Sequence, residues 1–494
     1  MIRIPSAPGP SPLPFLGVTA RALGWIQDPI GTAGKLFARY GNVASIVRGP
    51  LRIASPGPIP AIPWLQRTNG AGVVCVNSAE LNREVLNAHE RYFMIALSGR
   101  LFPKDVEPAE RERPVTRLMT GLFHVNAAEH RKHRRLLMPA FAKTRIDAYH
   151  ADMVRITNDV LANYRVGTTR DVHADLTELT LRIATTTLFG EDEGARGVDL
   201  ARVMQTWLLT MMSPKMLLRI DGPGLPYRRF LELTAQIDRE TLAMVRERKK
   251  RPAGPDMLSM LLAARDEDGS ALDEDELVGH AGVIFAAGHE TSTNALAWTL
   301  LLLSQHPEVM RELEDELASL RGTPPSVEEL ARLPLLEGVV KESLRLLPPV
   351  PIHPRLVAQD SELGGHFLPA GSEVFLSIYH LHHDPDIFPD PKVFRPRRWE
   401  TARPSVYEYN PFSAGPRMCI GAAFAMLEIK LVLAMLLSRF RFELPANTRV
   451  DPRVAITMAP SQGLRMTLRP RGLASQLPNR VGGRVRQLAQ WPEW

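Results

Sequence analysis

Between Leu272 and Pro307 the chain runs for 34 residues without a proline and keeps a helical apolar period almost throughout. Asp273 stands ready to cap that run, and Glu276 follows three residues later, the spacing of a capping box. The pattern predicts one helix reaching about Gln305. At 1.5 Å per residue it is roughly 45–50 Å long, enough to cross a whole domain. At its middle lies a break of small and polar residues, Ala287-Gly-His-Glu-Thr-Ser292. Gly288 costs about 1 kcal/mol there relative to alanine, and the Thr291 hydroxyl can bond back to the Ala287 carbonyl. A solvated surface turn would also look polar, but apolar residues flank this break on both sides.

The rest of the chain reads as mainly α with a small β part. A Pro-rich leader (1–27) precedes a helix at 28–40 and strands at Val43–Val47 and Val73–Val76. Residues 50–69 carry too much proline for a helix or a central strand and read as an inserted loop. From Ser78 to about Leu320 the pattern is helical, with turn signals near Gly167, 190–197, 221–224 and 251–255. Ser326 and Glu329 form a second capping box, and Pro334 opens the helix after it. Beyond Pro348, residues 355–358, 363–368 and 374–377 read as strands, with Gly364-Gly365 and 369–371 as turns. One more helix follows Cys419, then short strands as far as Arg469. No internal repeat divides the chain, so 28–471 reads as one domain and 472–494 as an appended tail.

Two cysteines, Cys75 and Cys419, cannot build a disulfide framework, a zinc site or an iron–sulfur cluster. A reducing cytoplasm is the simplest setting. The 60 basic and 54 acidic residues leave a formal charge of +6, spread along the chain, which is no nucleic-acid footprint. Five prolines before residue 15 exclude a signal-peptide core, and no stretch has the ~20 apolar residues of a membrane span.

Chemistry concentrates in Phe412-Ser-Ala-Gly-Pro-Arg-Met-Cys-Ile-Gly421. It is a loop with one cysteine, two flanking glycines that permit close backbone approach, and a helix beginning just beyond. A helix N-terminus favours a thiolate. A lone cysteine suits haem iron, because the porphyrin supplies four nitrogens and the thiolate promotes O–O cleavage. Taken alone, a structural cysteine in a Gly-rich turn is the ordinary alternative. Cys75, in a strand-like run, reads as a small core residue.

The 412–421 segment resembles the haem-ligand signature of the cytochrome P-450 family, F-x-x-G-x-R/H-x-C-x-G, at every fixed position. That resemblance implies haem b with Cys419 as the axial ligand of the metal, Arg417 at a propionate and Phe412 beside the sulfur. Four further segments fit the family in order and spacing. Ala287, Gly288, Glu290 and Thr291 correspond to the place where the long helix passes over the haem. There Glu290 and Thr291 resemble the acid–alcohol pair that delivers protons to dioxygen. Glu342-Ser-Leu-Arg345 with Phe394-Arg-Pro-Arg-Arg-Trp399 resembles a buried triad of Glu342, Arg345 and Arg398. His130 and Arg134, one helical turn apart, match haem-edge contacts; histidine stands where many members carry tryptophan. Arg355, in the 348–355 turn, matches a third propionate contact, a role His353 could share.

The resemblance further implies the triangular helical fold around haem and monooxygenation of a lipophilic small molecule with dioxygen. Its substrate walls would be 93–123, 205–225, Ala286, Ala287, 350–352 and 456–458. No electron-carrying module is visible, so electrons are expected from a ferredoxin or flavodoxin with its NAD(P)H-dependent reductase. Arg131, Lys132, Arg135 and Lys430, together with Arg417, would make a basic docking face for that donor. Isomerase or peroxygenase chemistry, which needs no electrons, and a haem-based sensor are the alternatives. Members of the former kind often lose the acid–alcohol pair, which this chain keeps.

Overall fold

A computed structural model of the chain describes residues 6–11, 24–47, 72–94, 109–190, 194–211, 220–472 and 478–493. The Pro-rich segment 50–69 lies outside the described residues, as do 95–108 and 212–219 of the expected substrate walls.

One helix, Glu274–Ser304, runs through the molecule. Its capping box forms as the sequence predicts. Asp273 Oδ1 accepts from the Glu276 amide at 2.7 Å, and Glu276 Oε2 accepts from the Asp273 amide at 2.8 Å. Residues 292–303 are buried without a break, so the helix is covered on both faces there rather than on one. Against it pack Val172–Phe189, Pro226–Lys249 and Ala422–Leu437, and their apolar side chains join one continuous core. Trp298 sits fully buried in that core, its indole N–H given to the Met458 carbonyl at 2.9 Å.

The β part stands to one side. Its principal sheet has the order Val43–Val47, Val73–Val76, Glu373–Ser377, Ile352–Val357, Tyr92–Met94. Neighbours are antiparallel except Val73–Val76 beside Glu373–Ser377, which run parallel. Cys75 is fully buried on one of these central strands. Residues 363–368 are not a single strand as the sequence suggests. Gly364 and Gly365, both at positive φ, turn Ser361–Leu363 back on His366–Leu368 as a hairpin. A three-stranded sheet of Thr169–Asp171, Arg465–Pro470 and Phe440–Glu443 and a pair of Pro452–Val454 with Met458–Pro460 complete the β structure among the described residues.

Residues 478–491, which the sequence sets apart as a tail, fold back onto the body. Val481, Val485, Ala489 and Trp491 are buried in the main core. The Gln305 side chain, at the end of the long helix, donates to the Asn479 carbonyl and accepts from the Val481 amide. Tyr379 donates its hydroxyl to the Leu488 carbonyl at 2.7 Å. Burying two valines and a tryptophan is worth about 5 kcal/mol in transfer terms. Ending the chain at Arg471 should therefore lower the melting temperature and cooperativity of thermal unfolding. A truncated protein that melts like the parent would show that the packing adds nothing.

Candidate active site

The Cys419 loop is shaped by its backbone. Gly415 has φ +68°, and a β-carbon there would approach the Leu86 carbonyl oxygen to 2.5 Å, so only glycine fits. The Cys419 amide donates to the Phe412 carbonyl at 2.8 Å and closes the loop. The helix Ala422–Leu437 begins three residues after the cysteine. Phe412 itself is half-buried against the main core.

The thiol is open on one side and enclosed by protein on the others. Enclosure holds its pKa above the usual value, while a backbone hydrogen bond at Gly421 and the charge of Arg134 pull it down. The helix end thus lowers the cost of a thiolate without overcoming burial. A metal that binds the sulfur would complete the deprotonation.

Four of the expected edge residues cluster nearby. Arg134, on Ala127–Leu137, donates to the Met418 carbonyl at 2.7 Å, next to the cysteine. Arg417 donates to the carbonyls of Leu122 and Val125 and to Asn126 Oδ1. Burial, then the charges of Arg355 and Arg134, push the Arg417 guanidinium down to about 9. Burial brings Arg355 to about 10. His130, also buried, is pushed down to about 3 by burial and then by Arg417 and Arg134, so its ring is neutral at physiological pH. Three partly dehydrated guanidiniums, one of them destabilised further by the other two, are a site for anions. The donor set fits haem b: one thiol for the iron, and arginines with a neutral imidazole for the two carboxylates of the porphyrin edge. His353 is fully buried and pushed down to about 3 by burial and then Arg355, and its Nδ1 has no hydrogen-bond partner.

Beyond its exposed first turn, the long helix is most open at the small-residue break. Ala286, Ala287, Gly288 and Thr291 are only half-buried, whereas the helix on either side is mostly buried. A β-carbon on Gly288 would meet only the Ala184 side chain, at an ordinary 3.9 Å. Among the described residues, packing therefore does not require glycine there. Thr291 Oγ1 donates to the Ala287 carbonyl at 2.9 Å, as its spacing predicts. Glu290 accepts a hydrogen bond from Thr457 at 2.8 Å.

The triad residues come together completely. Glu342 and Arg345 have no exposed surface, and Arg398 is buried with them. The Glu342 carboxylate receives five hydrogen bonds: two from Arg345, one each from Arg398 and the Trp399 indole, and one from the Arg395 amide. Both guanidiniums then hold carbonyls of the 389–393 segment.

The basic face is less basic than the sequence suggests. Arg131 lies against His89 and Glu90, Arg135 pairs with Asp266 and Glu267, and Lys430 lies 3.6 Å from Glu337. Acids distant in sequence fold up to these cations, which no local reading could foresee. Sequence reasoning also missed a buried Ser292–Glu428 contact of 2.5 Å and a chain from Glu276 through His133 to His280. Each joins residues more than 130 positions apart, or pairs a motif residue with an unremarkable one.

Comparison with known proteins agrees with this geometry. The cytochrome P450 family profile matches residues 62–465. The cytokinin hydroxylase of Arabidopsis thaliana is 32% identical over 71% of this chain and 72% of its own length. A cyclooctat-9-en-7-ol 5-monooxygenase from Streptomyces melanosporofaciens is 35% identical over 65% of this chain and 72% of its own. A pentalenene oxygenase from Streptomyces avermitilis is 32% identical over 76% and 85%. Among solved structures, cyanobacterial CYP120A1 with bound retinoic acid superposes with a TM-score of 0.78 at 26% identity, over 95% of this chain and all of that one.

Removing the Glu342 carboxylate would leave two buried guanidiniums uncompensated, at a cost of roughly 3–5 kcal/mol. Glu342→Ala should yield little soluble protein and a melting temperature well below the parent's. An unchanged melting temperature would show that the network is dispensable.

Proposed function

The chain belongs to the cytochrome P450 family, and from that premise we propose that it inserts one oxygen atom of dioxygen into a lipophilic small molecule, with Cys419 as the iron ligand. As a member it is a haem-thiolate monooxygenase. The observation that carries the assignment to Cys419 is the accessible thiol beside Arg134, which together with Arg355 acts on Arg417, since Cys75 is sealed inside the sheet.

When bound, the haem supplies the redox chemistry of dioxygen activation. The chain's own residues do the rest. Arg134, Arg355, Arg417 and neutral His130 take the porphyrin carboxylates and fix the ring's orientation in its plane. The closed 412–419 loop holds the Cys419 sulfur in place, and the Arg134 charge favours its anionic form. Thr291 Oγ1 and the Glu290 carboxylate hold and pass protons at the open stretch of the long helix. Retention of this pair favours monooxygenation over isomerase or peroxygenase chemistry and over a sensor role. The half-buried walls formed by Ala286, Ala287 and Ile352 suit an apolar substrate. The relatives named for cyclooctat-9-en-7-ol and pentalenene support that class. Electrons come from a separate ferredoxin or flavodoxin and its NAD(P)H-dependent reductase. Among the described residues no helix is long and apolar enough to cross a membrane.

Cys419→Ser should abolish the reduced carbon monoxide spectrum typical of thiolate ligation, while Cys75→Ser keeps it. A thiolate spectrum that survives in the first variant and disappears in the second would overturn the assignment. Thr291→Ala should retain haem and substrate binding yet divert reducing equivalents to peroxide. Equal coupling of NADPH to product in variant and parent would refute the proton-handling role.

A further inference from the structure

We propose that Thr457 is a positioning residue for this reaction, fixing the Glu290 carboxylate in one rotamer. The inference rests on the reading of Glu290 and Thr291 as the proton-handling pair. It starts from how rigidly the threonine is presented. Thr457 is buried at the turn leading into Met458–Pro460, and its hydroxyl donates to Glu290 Oε1 at 2.8 Å. The next residue is pinned from two directions. The Met458 amide donates to the Pro349 carbonyl at 2.8 Å, and the Met458 carbonyl accepts from the buried Trp298 indole at 2.9 Å. Trp298 belongs to the same helix as Glu290, eight residues further on. The Thr457 carbonyl also receives the Ala455 amide at 3.0 Å, which tightens the turn. The hydroxyl is therefore delivered to the carboxylate from a frame built on the helix that carries the carboxylate.

Glu290 needs such a partner. It is only half-buried and borders a cleft lined also by His173, Gln205, His289 and Arg453, with an empty volume of about 490 Å³ including its open mouth. A glutamate side chain on a helix surface has several rotamers, and fixing one of them costs entropy. A single oriented hydroxyl selects one rotamer of the acid at the edge of that cleft. Ile456, 43% exposed, projects from the same turn and is one of the proposed substrate-wall residues. Substrate that presses on this turn would thus be felt by the acid.

The test compares Thr457→Val, which keeps the shape and removes the donor, with Thr457→Ser, which keeps the donor. A hydrogen bond to a charged group is worth roughly tenfold in an equilibrium. Thr457→Val should therefore raise the ratio of peroxide to product about tenfold and enlarge the solvent isotope effect. Thr457→Ser should restore both towards the parent. Carbon monoxide bound to the reduced haem reports separately from turnover. Its infrared stretching band should broaden or split in Thr457→Val, as the acid samples several positions, and stay single in Thr457→Ser. Melting temperatures of the two variants should match. Glu290→Gln separates the two levels of argument. If it leaves coupling intact, the proton-handling reading fails. If it uncouples the enzyme while Thr457→Val behaves like the parent in both coupling and infrared band, the role given to Thr457 is overturned.

Discussion

The site depends on one buried carboxylate. Glu342 is withdrawn entirely from water, a state that only a complete set of donors makes tolerable. Five hydrogen bonds satisfy it, and each donor is thereby fixed in turn. The Trp399 indole, tied to Glu342, packs on Tyr409 with ring centroids 4.4 Å apart, and Tyr409 donates its hydroxyl to the Lys341 carbonyl beside Glu342. The following amide, Asn410, donates to the Nε2 of His382, a ring that burial pushes down to about 3 and so keeps neutral as an acceptor. Asn410 then accepts from the Ser413 amide, and the loop continues to Cys419. The position of the sulfur is thus inherited, bond by bond, from an ion network far from it in sequence.

A second constraint is electrostatic. Gathering Arg134, Arg355 and Arg417 costs free energy chiefly through lost hydration, which lowers the pKa of all three, and Arg417 is lowered further by the charges of Arg355 and Arg134. The fold lessens the cost with backbone dipoles. Arg134 and Arg417 each donate to main-chain carbonyls, so they are oriented without being neutralised. Held by carbonyls rather than carboxylates, both guanidiniums keep their charge for an anionic ligand, whose binding free energy would add to the stability of the folded protein.

What the sequence revealed follows from the range over which each interaction acts. The long helix, its cap and the Thr291 back-bond depend on neighbours within four residues, and all three appear as read. The triad was visible through two short motifs whose joint occurrence is specific, although Trp399 and the Arg395 amide were not seen as members. The turn that divides 363–368 into a hairpin is locally encoded by Gly364-Gly365, both at positive φ. By contrast, the pairing of Arg135 with Asp266, the return of Trp491 to the core and the contact of Thr457 with Glu290 join residues more than 100 positions apart. Nothing within a window of local sequence distinguishes these residues from solvated ones.

The long helix shows why the two ranges must cooperate. The stretches that flank its middle, 277–282 and 292–303, are buried, and burial of leucines and Trp298 stabilises it far beyond its intrinsic propensity. That surplus permits a glycine and a cluster of polar groups at the middle, where helix formation alone would disfavour them. The second of these stretches also anchors Met458, and through it the turn that reaches Glu290. A helix stabilised by propensity alone would have no room for such a break and no fixed frame beside it. Stability concentrated at the flanks leaves the centre of this helix free for chemistry.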